Sequence, residues 1–316
     1  MKEELKKELK RLLEEPSVVS TDFYTIADMK VTMSDWSVNP YKVMFNMATK
    51  TWGQETDKWS LASPELRFEV VKMVLERKAL PLALEHPKFA FQVDHISRAA
   101  FDQLARARIG IVFASKGQKD DNLHNVGFVI PLKFKEELTK NTIKRHILTS
   151  KYMYDSLIKF GYPNWSARSV LSMYTEHSFI FSANFLAIQN MLGKRLETTE
   201  MEDVVAFSIL VREQIRLRFP LLADYLRPAS EWRGKDMTAA FNGFSDIIGV
   251  PHTSDNRHPG YDNKKYSAKW QEPCTDMREV EKTIKVKLPK PGEWMNYTWE
   301  TLEEQDRTLF EDGKGR

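Results

Sequence analysis

The stretch from Pro81 to Arg108 constrains this 316-residue chain more than any other part of it. Phe89, Phe91 and Val93 alternate with Lys88, Ala90 and Gln92, the period of a strand with one buried face. His86 stands just ahead of that strand, and a helix over about Ser97 to Arg108 follows it. On the helix, Gln103 and Arg106 lie one turn apart and share a face, while Arg108 at the end can swing into the next loop. Two guanidinium forks and an amide aimed at one point are what a phosphate or pyrophosphate requires. Taken alone, the same residues also describe a solvated basic helix end.

The rest of the chain alternates helical and short extended patterns. Residues 2–14 carry Leu5, Leu9, Leu12 and Leu13 at helical spacing until Pro16, which predicts an amphipathic helix. Ser63-Pro64-Glu65 opens a second helix, with Leu66, Val70, Met73 and Val74 on its apolar face. After a loop at 114–125, Val126 to Leu132 reads as a strand, and 141–160 reads as a helix closed by Gly161 and Pro163. Ile143, Ile147, Tyr154 and Leu157 line that helix. Phe179-Ile180-Phe181 suits a buried strand or the start of the next helix. Two helices follow, Asn184 to Arg195 and Thr199 to Arg218, the second capped by threonine with Glu200 and Glu202 in its first turn and ended by Phe219-Pro220. Residues 250–292 are rich in proline and polar side chains and read as loop or extended chain, with Trp294, Tyr297 and Trp299 as anchors for the tail.

Composition narrows the function classes. With 47 basic and 44 acidic residues the net charge is +3, too small to argue for a nucleic-acid or membrane surface. Nowhere do about 18 apolar residues run together as a membrane span needs. The single cysteine, Cys274, excludes an intrachain disulfide framework, and the expected compartment is a reducing cytoplasm. Pro273-Cys274 superficially matches the nucleophile of the cysteine-dependent thymidylate synthases. It sits in a polar, proline-rich stretch without an activating neighbour and reads as incidental.

The motif around His86 resembles the flavin-dependent thymidylate synthases, whose P-L-E-H-x-x-F-x-F strand leads into a helix ending Q-x-x-R-H-R. Three further matches carry the resemblance. Ala167-Arg168-Ser169-Val170-Leu171 is similar to the family's A-R-x-V-L-P, with Ser172 in place of proline. Asn184 follows at family spacing, and so do Asn190 and Arg195 on the next helix. The likeness runs from about residue 28 to 228. It implies an α+β, ThyX-like fold with a central β-sheet flanked by helices, spanning 28–230. An N-terminal helix and linker at 1–27 and a loop-rich extension at 231–316 would flank it.

By that resemblance Arg106, Arg108, Asn184 and Asn190 would hold FAD. Gln103, Arg168 and Arg195 would hold the phosphate and base of a pyrimidine deoxynucleotide monophosphate. Where the family has a serine and an arginine in its nucleotide loop, this chain has Lys116-Gly117-Gln118, so Lys116 would take the phosphate and Gly117 would admit its close approach. Lysine is a point charge rather than a fork, so the geometry differs from the family's. Ala107 replaces the histidine of R-H-R, Ala114 an acidic residue, and Leu186 an arginine.

The implied reaction is C5 methylation of dUMP to dTMP, with methylenetetrahydrofolate and NADPH as co-substrates, in a homotetramer whose sites are shared between subunits. Arg195 would stabilise negative charge on the pyrimidine carbonyl edge. His86 reads either as a catalytic group titrating near neutrality or as a hydrogen-bonded support for the strand. Tyr174, Glu176 and His177 cluster without a second metal-ligand signature and read as structural or merely exposed; no metal is expected. Two alternatives remain: a same-fold enzyme methylating or hydroxymethylating another pyrimidine nucleotide such as dCMP, and a non-catalytic nucleotide-binding relative.

Overall fold

The structure is a computed structural model, and it describes residues 21–51, 58–76, 80–117, 123–198, 200–232, 275–290, 293–294 and 297–311. The expected N-terminal helix at 2–14, Gln118 and Cys274 lie outside the described residues. The chain divides into two compact units that do not follow sequence order: 1–35 with 90–182, and 36–89 with 183–316.

The first unit is built on sheets. Strands β1 (Phe23–Tyr24), β2 (Lys30–Trp36), β3 (Lys88–Ser97), β4 (Ile111–Ser115), β5 (Phe128–Val129) and β6 (Glu176–Asn184) form a four-stranded sheet of order β2-β3-β6-β4 and a parallel pair β1-β5. The alternation expected of β3 is present: Phe89, Phe91 and Val93 are buried, while Lys88 and Gln92 are exposed. Phe91 stacks on Phe181 of neighbouring β6 with centroids 4.9 Å apart, and Phe113 of β4 and Phe101 complete the aromatic layer. β6 resolves the ambiguity at Phe179–Phe181 in favour of a strand.

The Arg98–Leu104 helix begins where Ser97 accepts from the Ala100 N–H, but it stops sooner than periodicity predicts. Ala105 closes it, Ala107 N–H bonds to Leu104 O, and Gly110 at φ 74° turns the chain into β4. Gln103 is therefore helical, whereas Arg106 and Arg108 belong to the turn beyond it. Strand β4, for which no strand was expected, runs up to and into the first two residues of the loop expected at 114–125. The strand expected over 126–132 is confined to Phe128–Val129, because Pro131 has no N–H to offer the ladder. The Glu137–Lys159 helix ends as expected at Gly161, whose φ of +86° admits the turn in which Gly161 N–H bonds to Ile158 O.

The second unit is helical. Ser63 caps the Pro64–Leu75 helix as expected, but the face it buries is Arg67, Phe68, Val71, Val74 and Leu75, leaving Leu66 and Met73 exposed. Arg67 goes inside because its guanidinium serves carbonyls: it donates to Trp59 O at 2.7 Å, to Phe310 O at 2.5 Å and to Glu311 O at 3.2 Å. Tyr41 and Trp59 stack on Phe310, and Phe68 and Trp299 meet it edge-on. The Phe185–Arg195 helix is present as expected, with Asn184 as its cap. The next helix runs Glu202–Arg216 with Met201 at its cap position and no side-chain cap; Thr199, expected as the start and cap, lies outside the described residues. Pro220 opens a further helix, Pro220–Asp224, rather than only ending one. Within the stretch expected to be extended, Met277–Ile284 is helical, and Glu304–Glu311 follows it; Trp294 and Tyr297 are buried anchors.

Candidate functional site

The candidate residues fall into two groups, one per unit. In the first unit Gln103 lies in the last turn of the Arg98–Leu104 helix, and exposed Arg106 and Arg108 follow on the segment before β4. Lys116 and Gly117, both exposed, come directly after β4. The five residues of β4, roughly 16 Å at 3.3 Å per residue, stand between the turn that carries Arg108 and Lys116.

Arg168 is exposed on the short Arg168–Val170 turn, and the segment after it is tied to the same helix. Ser172, which stands where the family motif has proline, accepts at its hydroxyl from Tyr174 N–H and at its carbonyl from Thr175 N–H. That turn presents Met173 O to Ala99 N–H at 3.1 Å and Thr175 O to Arg98 N–H at 2.8 Å. The serine thus builds the turn that satisfies the helix start, four residues after Arg168.

In the second unit Asn184 and Arg195 bracket one helix. Asn184 is the N-cap with Oδ1 accepting from Ala187 N–H at 2.8 Å, so its side-chain oxygen is engaged in holding the helix. Asn190 lies exposed between them. Arg195 is the last helical residue, and its Nη1 meets Glu200 Oε1 at 2.5 Å. His86 is exposed at the end of the Pro81–Glu85 turn.

One constellation in the first unit escaped sequence reasoning. His95 interrupts β3 at φ 61°, a backbone region costing about 1–3 kcal/mol for a residue with a side chain. Its ring stacks on Tyr24 at 4.3 Å, and Nδ1 lies 2.5 Å from Glu176 Oε1. Burial first, then the Glu176 charge, push the Tyr24 phenol up. Gly127 is required here, since a Cβ would stand 2.3 Å from Tyr24 Cε2 and 2.8 Å from Glu176 Oε2. No spacing rule points to His95, because its partners come from β1 and β6. The neighbouring His177 proves structural. It is buried beside Phe101, its Nε2 has no hydrogen-bond partner among the described residues, and burial with the Arg98 charge lowers it to about 4 against the opposing pull of Asp102.

A cavity of about 390 Å³ in the second unit is lined by Trp36, Arg218, Phe219, Glu304, Thr308 and Leu309 among others, and by none of the candidate residues. Among the described residues, no group of three or more His, Cys, Asp or Glu is arranged to hold a metal, and no helix is long and apolar enough to cross a membrane.

Comparison with known proteins bears on this geometry. The model of the thymidylate synthase complementing protein family matches residues 32–221, more than half of the chain. No curated protein matches the sequence significantly. Among solved structures, the fold is similar to that of a UMP/dUMP methylase, PolB from Streptomyces cacaoi. Bound with 5-Br dUMP, that protein matches with a TM-score of 0.55 at 15% identity, covering 65% of this chain and 96% of that one. Bound with 5-Br UMP, it matches with a TM-score of 0.53 at 14% identity over the same shares.

Proposed function

The chain belongs to the thymidylate synthase complementing protein family, and on that premise we propose that it methylates C5 of a pyrimidine nucleotide with the help of a bound flavin. The observation that carries this reading is that the family match at 32–221 encloses every candidate residue from His86 to Arg195. The similarity to a UMP/dUMP methylase supports the substrate class. The substrate is dUMP, the product dTMP, and the co-substrates methylenetetrahydrofolate and NADPH, in a cytoplasmic homotetramer with sites shared between subunits.

The residues present fit a dinucleotide. Exposed Arg106 and Arg108 lie two residues apart just ahead of the turn at Gly110, which suits a pyrophosphate, and Asn184 and Asn190 offer amides. When bound, the flavin supplies the electron transfer for which no side chain in the chain is equipped. The remaining work is positioning and electrostatics. Gln103 and Arg168 hold the nucleotide phosphate, with Lys116 as a point charge. Arg195 donates to the carbonyl edge of the ring, where negative charge grows as C5 becomes nucleophilic. His86, exposed ahead of β3, is available to exchange a proton with solvent or substrate.

A second reading has one specific observation in its favour. Lys116 and Gly117 replace the family's serine loop, so the phosphate is gripped differently and another pyrimidine nucleotide such as dCMP fits the same machinery. Incubation with FAD, NADPH, methylenetetrahydrofolate and either dUMP or dCMP separates the two readings. Product from dUMP is expected; product from dCMP alone replaces the thymidylate assignment. Protein that takes up neither FAD nor nucleotide contradicts both.

A further inference from the structure

We propose that Glu200 is a positioning residue for Arg195, and that the C-terminal segment starting at Thr275 holds Glu200 in place. The inference rests on Arg195 meeting the pyrimidine ring as argued above. Arg195 ends its helix, where a long side chain would sample many rotamers, and freezing such a chain on ligand binding weakens affinity. Here it is ordered in advance: Nη1 meets Glu200 Oε1 at 2.5 Å, with the two side chains only 16% and 20% exposed. That contact uses one of the five N–H donors of a guanidinium.

Glu200 does not sit on a helix. It lies in the turn where Glu200 N–H bonds to Glu197 O at 3.1 Å, just ahead of a helix with no side-chain cap. What steadies this turn comes from far along the chain. Thr275, 3% exposed, donates its N–H to Thr198 O at 3.0 Å and its hydroxyl to Glu200 O at 2.5 Å. Asp276 then caps the Met277–Ile284 helix by accepting from Arg278 and Glu279 N–H, and Val280 buries that helix against Glu202–Arg216. The docked helix fixes Thr275, Thr275 fixes the turn, and the turn aims the carboxylate that orients Arg195. The segment beyond the family match thus becomes part of the site's scaffold.

The test is a calorimetric titration of dUMP into the full-length, FAD-supplied protein, with thermal melts run alongside. Glu200→Ala should weaken dUMP binding about tenfold while leaving Tm nearly unchanged, because only preorganisation is lost. Glu200→Gln, which keeps the accepting oxygen, should restore binding to within about threefold of wild type. Thr275→Val, which removes one hydroxyl, should weaken binding about threefold to fivefold. Equal binding by Glu200→Ala would mean that the carboxylate orients nothing, and tighter binding that it competes with the nucleotide; either overturns the inference. So does failure of the glutamine variant to restore binding. If Arg195→Ala binds dUMP as wild type does, the reading of the site falls and this inference with it. If Arg195→Ala loses binding and Glu200→Ala does not, this inference alone fails.

Discussion

Asp306→Asn should flatten the pH dependence of stability. Asp306 is fully buried on the Glu304–Glu311 helix, accepting at Oδ1 from the Tyr41 hydroxyl and at Oδ2 from Leu221 N–H at 2.6 Å. Burial pushes its carboxyl from 3.8 up to about 7, against the pull of those two hydrogen bonds and with a smaller push from Glu303. A carboxyl raised in this way binds its proton more tightly in the folded chain than in the unfolded one. Its contribution is therefore fully present below 3.8 and lost as the pH rises through 7. One proton across that window is worth about 1.4 kcal/mol per pH unit, or roughly 4 kcal/mol in all. Asparagine has no such proton; its oxygen can face Leu221 N–H while its NH2 donates to a rotated Tyr41 hydroxyl. Urea unfolding from mildly acidic to mildly alkaline pH measures the difference between the two proteins. The stability of wild type relative to the variant should fall by about 1.4 kcal/mol per unit from acid until near neutrality. Parallel curves would refute the claim that Asp306 titrates inside the folded protein.

Further outcomes follow from the same geometry. Gly127→Ala should destabilise by about 1–3 kcal/mol in urea unfolding, since the new methyl must displace Tyr24 and Glu176. At His95, with φ 61°, valine should be less stable than glycine by about 1–2 kcal/mol; equal stabilities would show that the backbone there is not strained. Phe91→Ala removes the ring stacked on Phe181 and should lower stability by about 3–5 kcal/mol by the same assay.

What the sequence discloses here is local, and what it hides depends on distant partners. The period of Phe89, Phe91 and Val93 announces β3 because one side of a strand must face the core, and Ser63-Pro64 announces a helix start through its own hydrogen bond. The buried face of the Pro64–Leu75 helix departs from its apolar pattern because Arg67 turns inward to satisfy the carbonyls of Phe310 and Glu311, which no helical wheel contains. Gln103 and Arg106 do not share a helix, because the turn into β4 begins at Ala105. Asn184 is legible as a polar residue at a helix start, yet its capping bond shows that half of its amide serves the fold. His95 carries no sequence signal, since a positive φ and a carboxylate from another strand exist only once the sheet has formed. Glu200 looks like a first-turn helix acid, and only Thr275 reveals it as part of a braced turn.

The most direct measurement is mass spectrometry of the nucleotide after incubation of the purified, FAD-supplied chain with NADPH, methylenetetrahydrofolate and dUMP. Conversion to a product heavier by one methylene unit, absent with Arg195→Ala, is the predicted result. Recovery of the nucleotide unchanged, from a protein that binds both flavin and dUMP, would contradict C5 methylation.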